Sequence, residues 1–416
     1  MAENARMNLE QTDVVIVGAG PSGAVAAAFL RQQGRRVLVL EREQFPRFSV
    51  GESLLPQSME YIEAAGMLRD VVEAGFQHKN GAAFACGDRY TDIDFRDKST
   101  PGWATTYQVQ RGAFDKVLAD AAARQGAEIR YRHTVTAVYV AGARPRVSVR
   151  DADGKDYDVE ARFVLDASGF GRVLPRLLDL EVPSDFPVRN ALVTHIADGF
   201  TADGPFDRNK IRVTVHSQRP DVWFWTIPFS NGRCSQGVVA DAEFLARYSG
   251  SDLERLRAIV AGEPVLSALL KDATWDTPAR QLGGWSANVK SLWGPGYALL
   301  GNAGEFLDPV FSSGITIAFK SAALAAACIA REFEGEAVDW QADFAAPLKA
   351  GVDTFRAFVE AWYDGSFQKI LFHEGQQSPD IRRMLSAILA GYAWDTSNPY
   401  VTQPKRRLRV LEELCR

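Results

Sequence analysis

Three stretches of the sequence hold residue types at spacings that chemistry could use. In DVVIVGAGPSGAVAAAFLRQQGRRVLVLER, Gly18, Gly20 and Gly23 form G-x-G-x-x-G between an apolar run, Val14 to Val17, and a helix-like run, Ala24 to Gln33. Such a turn, with Ser22 inside it, brings backbone N–H groups and a helix start up to a pyrophosphate. The next strand ends in Glu41 and Arg42, where a carboxylate accepts ribose hydroxyls. In FLDPVFSSG, Phe306 and Pro309 lead to Ser312, Ser313 and Gly314, just before an apolar helix starting near Ile315. Unpaired N–H groups at that helix start suit a small anion, or the negative charge of a reduced cofactor. In WFWTIP, alternation puts Trp223 and Trp225 on one face of a strand, with Ile227 next and Pro228 closing it;. From the residues alone, two such indoles read as core packing. Lys79, in FQHKNGAAF, reads alone as a solvated charge.

Elements that could position these residues follow from length and pattern. A chain of 416 residues with 46% hydrophobic content exceeds one core and predicts two coupled lobes;. Two further strand-like runs end in short polar turns: ARFVLDASGFGR at Asp166, and YALLGNAGEFLDP at Gly301 and Asn302. Together with the glycine turn, three strand ends would converge on one long ligand. No second G-x-G-x-x-G follows, so one dinucleotide is expected and no dedicated NADPH domain. VQRGAFDKVLADAAARQGAEI reads as a strand end leading into an amphipathic helix, with Arg111 at its start. The formal charge of -5 gives no reason to expect nucleic acid as a partner, and four scattered cysteines indicate neither a disulfide framework nor a zinc site;. The polar opening MAENARMNLEQTD lacks an apolar signal core, and the longest apolar helix is interrupted by Lys320 and Ser321;. A cytoplasmic protein without a membrane span is the expectation.

The three converging turns resemble those of the FAD-dependent aromatic hydroxylase and geranylgeranyl reductase group. Phe306, Pro309, Ser312 and Gly314 match F-x-x-P-x-x-S-x-G, and Trp223-x-Trp225-x-Ile227-Pro228 matches W-x-W-x-I-P. Both are similar to signatures of the flavin-dependent halogenases, as is SVGESLLP, which carries Glu52 and Ser53 toward the halide route. Lys79 stands before a Gly-Ala turn, where that family carries its catalytic lysine.

The resemblance implies an α/β chain, α+β overall. Residues 1–80, 105–182 and 286–335 would form a Rossmann-like FAD-binding domain. An inserted antiparallel substrate sheet would comprise 81–104 with 183–285, and 336–416 a helical C-terminal region. Gly18, Gly20, Ser22, Gly23, Glu41, Arg42, Arg111, Asp166, Gly301, Asn302, Gly314 and Ile315 would then hold FAD. Ser312, Ser313 and Gly314 would hold chloride or bromide. Trp223, Trp225, Ile227, Pro228, Phe306 and Pro309 would shield the site, and Lys79 would direct hypohalous acid, made with reduced FAD and O2, onto an aromatic ring.

Two departures are informative. Asn302 stands where the wider group commonly has aspartate, and Phe311 stands where tryptophan halogenases have glutamate. The second points to the branch acting on phenols and pyrroles, free or bound to an acyl carrier protein, with reduced flavin delivered by a separate NAD(P)H-dependent reductase. The basic run KRRLRVLEELCR is either a solvated tail or a docking face for such a carrier. His78, beside Lys79, and His195 and His216, in the expected substrate sheet, are the candidates for a base toward a phenol hydroxyl; the two in the sheet read as structural, and none is taken as catalytic. Alternatives are a monooxygenase or prenyl reductase on the same scaffold, or a non-catalytic flavin binder.

Overall fold

The computed structural model describes residues 9–201, 204, 206–373, 375 and 378–415. The polar residues 1–8 and the terminal Arg416 lie outside them. The strand Val14–Val17 is flanked in parallel by Val37–Glu41 and Phe163–Asp166, each a run of buried aliphatic residues suited to a sheet covered on both faces;. Glu128–Tyr131 and Tyr297–Leu299 extend this sheet in parallel on either side, and Trp293–Gly294 closes one edge antiparallel. Asp166 is in register with both Val17 and Leu299, so three carboxyl ends stop at one level. Helices Pro21–Gln32, Arg111–Arg124 and Gly314–Phe333 bury their apolar faces in one core on one side of the sheet. The other side packs against the strands Thr134–Tyr139, Arg146–Arg150 and Asp156–Glu160. The first helix begins at Pro21 and not at Ala24, because proline suits a first helical position and leaves no donor wasted;.

A seven-stranded sheet stands apart from this core. Its order is Arg280–Gly283, Asn190–Ala197, Arg233–Ala240, Arg219–Pro228, Lys210–His216, Gly81–Cys86, Arg89–Asp94, with only the Lys210–His216 and Gly81–Cys86 pair parallel. No turn follows Lys79: it ends the short strand Gln77–Lys79, which pairs with Thr106–Gln108, and the next strand begins directly at Gly81.

Among the described residues the regular elements beyond residue 340 are all helical; the longest is Ala346–Tyr363. They seat the turn before Gly314, because the ring of Phe311 meets those of Phe358, Trp362 and Phe367 edge-on at 5.6–6.4 Å between centroids. Gly314–Phe333 is long and apolar enough to cross a membrane, but 61% of that window is buried inside the protein.

Candidate functional site

A cavity of about 1420 Å³ runs from the three aligned strand ends to the seven-stranded sheet. It exceeds the roughly 300–1,000 Å³ usual for small ligands, as a dinucleotide with a second ligand beside it requires. At one end the glycine turn is forced by close packing. Gly18 has φ +98°, and a Cβ there would meet the carbonyl oxygen of Ala167 at 2.7 Å;. A Cβ on Gly23 would come within 2.0 Å of the Gly18 carbonyl oxygen, so Gly23 serves the packing of helix on turn and does not line the cavity. Gly20 and Ser22 do line it.

Glu41 fixes the turn. Its carboxylate accepts the N–H groups of Ala19 and Glu43, both at 2.9 Å, with lone pairs left for a ribose;. Arg42 lines the cavity beside it. Asp166 is fully buried and off the cavity wall; it accepts the N–H groups of Ser168 at 2.8 Å and Leu174 at 2.7 Å, and its pKa is raised by desolvation. It therefore shapes the second turn from behind.

The third turn, Gly301–Ala303, is a single 3-10 turn in which Asn302 faces the cavity and Gly301 packs on Ala318. Arg172, which sequence reasoning missed, stitches the second and third turns together. Its guanidinium donates to the carbonyls of Asn288 and Gly304 and pairs with Glu181 at 2.9 Å. Its own φ of +44° is the only available signal, and that is invisible in sequence;.

Arg111 is buried at the cavity wall, paired with Asp115 at 2.7 Å and donating to the Val50 carbonyl. It anchors the segment from Val50 to Ser53, along which Gly51 has φ +92°. Glu52 and Ser53 both face the cavity, and Glu52 Oε1 lies 2.7 Å from His195 Nε2, a pairing that sequence reasoning left out.

Toward the seven-stranded sheet, Phe306, Pro309, Ser312, Gly314 and Ile315 line the cavity, while Ser313 turns inward. Ser312 has φ +57°, a conformation rare for a non-glycine residue and concentrated at functional turns;. The first-turn amides of Gly314 and Ile315 have no protein acceptor among the described residues;.

Trp223, Trp225 and Ile227 form the facing wall, and Pro228 lies outside the lining. The two indoles are 6.0 Å apart at 51°. Trp223 Nε1 donates to Tyr363 Oη at 3.1 Å, and Tyr363 donates to Asp308 Oδ2 at 2.8 Å. This chain ties the wall to the turn. Burial raises Asp308 to about 6, against the hydrogen bonds from Val310 and Tyr363 and the charge of Arg189.

Lys79 is fully buried and reaches the cavity only through Ser53. Its Nζ donates to Ser53 Oγ and to the Leu54 carbonyl, each at 2.7 Å, and lies 5.3 Å from the centre of the Phe95 ring. Desolvation lowers it to about 7, so it holds and releases a proton near neutrality;.

Comparison with known proteins agrees with this geometry. The model of the FAD binding domain family matches residues 11–277. A flavoprotein/dehydrogenase from Cytophaga hutchinsonii superposes with a TM-score of 0.94 at 42% identity, covering 98% of this chain and 99% of that one. The flavin-dependent brominase Bmp2 gives 0.83 at 26% identity, covering 98% and 100%. The 1H-pyrrole-2-carbonyl-[peptidyl-carrier protein] chlorinase of Pseudomonas fluorescens is 27% identical over 97% of this chain and 92% of its own. The chain is therefore FAD-dependent, and the glycine turn, Glu41 and the cavity wall at Asn302 have the shape and the hydrogen-bonding groups that suit that cofactor.

Proposed function

This chain belongs to the flavin-dependent halogenases of the FAD binding domain family, and we propose on that premise that it halogenates an electron-rich phenol or pyrrole, free or carried on an acyl carrier protein. Bound FAD, reduced by a separate NAD(P)H-dependent reductase and met by oxygen, supplies the oxidising equivalent that converts chloride or bromide to hypohalous acid. The protein's own residues do the rest. The strained turn at Ser312 and the free amides of Gly314 and Ile315 hold the halide;. Trp223 and Trp225 keep the aromatic substrate from the cofactor, so that oxygen is not transferred to it directly.

The observation that carries this reading is Lys79. A general surface lysine stays charged and mobile; this one is immobilised by two hydrogen bonds, dry, and poised near pH 7 behind a cavity-facing hydroxyl. Through the Ser53 hydroxyl it holds, such an ammonium can orient hypohalous acid in the cavity, which suppresses its indiscriminate reactivity;. Phe311 supports the phenol or pyrrole branch. It is buried among the rings of the C-terminal helices, so no carboxylate assists there, and the ring attacked must be reactive unaided.

The test mixes the FAD-loaded protein with a flavin reductase, NADH, oxygen and an activated phenol, with and without chloride or bromide. Halide-dependent halophenol formation is expected, and Lys79→Ala should abolish it while retaining FAD. Wild-type rates in Lys79→Ala would overturn the role of Lys79. Turnover indifferent to both halides would favour a monooxygenase or prenyl reductase on the same scaffold.

A further inference from the structure

Glu52, on the cavity wall, and His195, behind it, form a pair to which the halogenation steps so far assign no work. The backbone fixes Glu52: its carbonyl accepts the N–H of Val109 at 2.7 Å, and the N–H of Leu54 donates to the Tyr107 carbonyl at 3.1 Å. The side chain meets His195 Nε2 through Oε1 at 2.7 Å. A carboxylate oxygen only accepts, so the imidazole donates. His195 is itself clamped, its ring edge-on to Phe229 at 5.2 Å and tilted on Phe48 at 6.3 Å between centroids.

Only one oxygen of Glu52 is engaged in this way. The residue is 3% exposed, yet Oε2 accepts no hydrogen bond from the described residues and is not sealed away from the cavity that Glu52 lines. A nearly dry carboxylate oxygen calls for a donor, and the open side here is the cavity. The neighbours say what would stand there. Next in the chain is Ser53, the hydroxyl through which Lys79 orients hypohalous acid. Across the sheet, His195 and Ile227 lie opposite Ser235 on its two sides, so the pair is level with the end of the aromatic wall;. Oε2 therefore borders the space between the oxidant and the wall that confines the substrate.

We propose that Glu52 is the general base that takes the hydroxyl proton of a phenolic substrate, with His195 as its positioning residue. The proposal rests on the halogenase reading and narrows its substrate from phenol or pyrrole to phenol. Phenolate is far more nucleophilic than phenol, whereas a pyrrole ring is attacked as the neutral molecule and gives such a base no proton to take. As the phenolic proton passes to Oε2, a ring carbon bonds the halogen and the halogen–oxygen bond of hypohalous acid breaks. The departing hydroxide takes a proton from Lys79 by way of Ser53 and becomes water. The ring then loses its C–H proton to water, its oxygen recovers a proton from Glu52, and the released proton recharges Lys79. Glu52 thus acts on the substituent and not on the ring proton, so it does not stand in for the carboxylate missing at Phe311.

The test supplies the FAD-loaded protein with a flavin reductase, NADH, oxygen and bromide and offers two probes. Phenol must lose its proton; 2,6-difluorophenol is assayed in buffer alkaline enough to ionise it while phenol stays protonated. Taurine traps hypobromous acid in parallel. In Glu52→Gln the ratio of kcat/KM for phenol to that for difluorophenol should fall about a hundredfold relative to the wild type, and in His195→Gln about tenfold. An unchanged ratio in Glu52→Gln, whether both rates persist or both fall together, would overturn the proposal and leave Glu52 a purely structural group. If Glu52→Gln does not fold, the ratio in His195→Gln decides. A wild type that yields trapped hypobromous acid but no brominated phenol would overturn the proposal alone, and one that yields no hypobromous acid would refute the halogenase reading beneath it.

Discussion

Gly237 stands directly across the ladder from Trp225, and the indole of Trp225 lies over the space a side chain at Gly237 would fill. A Cβ at Gly237 would come within 2.1 Å of the Trp225 ring. Trp225 Nε1 also donates to Ser235 Oγ at 3.0 Å, so the ring is held flat against the neighbouring strand by both shape and hydrogen bond. Gly237→Ala should push this wall into the cavity. The expected cost is about 1–3 kcal/mol of stability, as for overpacking elsewhere. More reducing equivalents should also end as hydrogen peroxide per halogenated product. Urea midpoints and peroxide yield per NADH measure the two effects.

Lys79 sets a pH dependence of stability whose sign is fixed by its lowered pKa. Below about pH 7 the lysine is charged in both states, and the folded protein bears the full cost of burying the charge. Between about 7 and the ordinary 10.5 the unfolded chain holds the extra proton, so stability rises with pH, and above 10.5 the cost is gone;. Lys79→Met should therefore be more stable than the wild type at pH 7, with the difference shrinking as pH rises toward 10. Urea unfolding of both proteins at pH 7 and pH 9.5 checks this; a constant gap would show that the ammonium is not desolvated.

Tyr363 sits between Trp223 and Asp308 and satisfies both. Tyr363→Phe leaves a buried indole N–H and a buried carboxylate oxygen unpaired, which should cost about 1–3 kcal/mol. The loss should be non-additive with Trp223→Phe, because the second change removes a group the first has already orphaned. A double-mutant cycle by urea unfolding measures the coupling; simple additivity would mean that the three side chains do not act as a chain.

The glycine spacing, the acid at position 41 and the period-two tryptophans are legible in the sequence because local geometry dictates them: a tight turn needs small residues, and a strand alternates its faces. The helix start at Pro21 is also a local signal, carried by proline itself. What sequence does not carry is the partner across the fold. Nothing near Lys79 in the chain indicates that Ser53 and Leu54, some 25 residues earlier, accept its hydrogen bonds. Arg172 looks like any surface arginine until its carbonyl acceptors are seen, and Gly237 looks like a loop glycine until its register with Trp225 is known. Asp166 is visible as a strand-end acid, but its burial, and hence its work on the turn from behind, depends on packing from distant segments.

The alignment of Val17, Asp166 and Leu299 at one level has a consequence for synthesis. The strand between the other two in the sheet, Phe163–Asp166, pairs with a segment made early and another made late. A nascent chain still missing Tyr297–Leu299 lacks one of the three rims of the cofactor cavity, and the helix after Gly314 that backs the first turn has yet to emerge. All three rims stand together only once the chain through Gly314–Phe333 has been made, and until then the glycine turn waits without its roof.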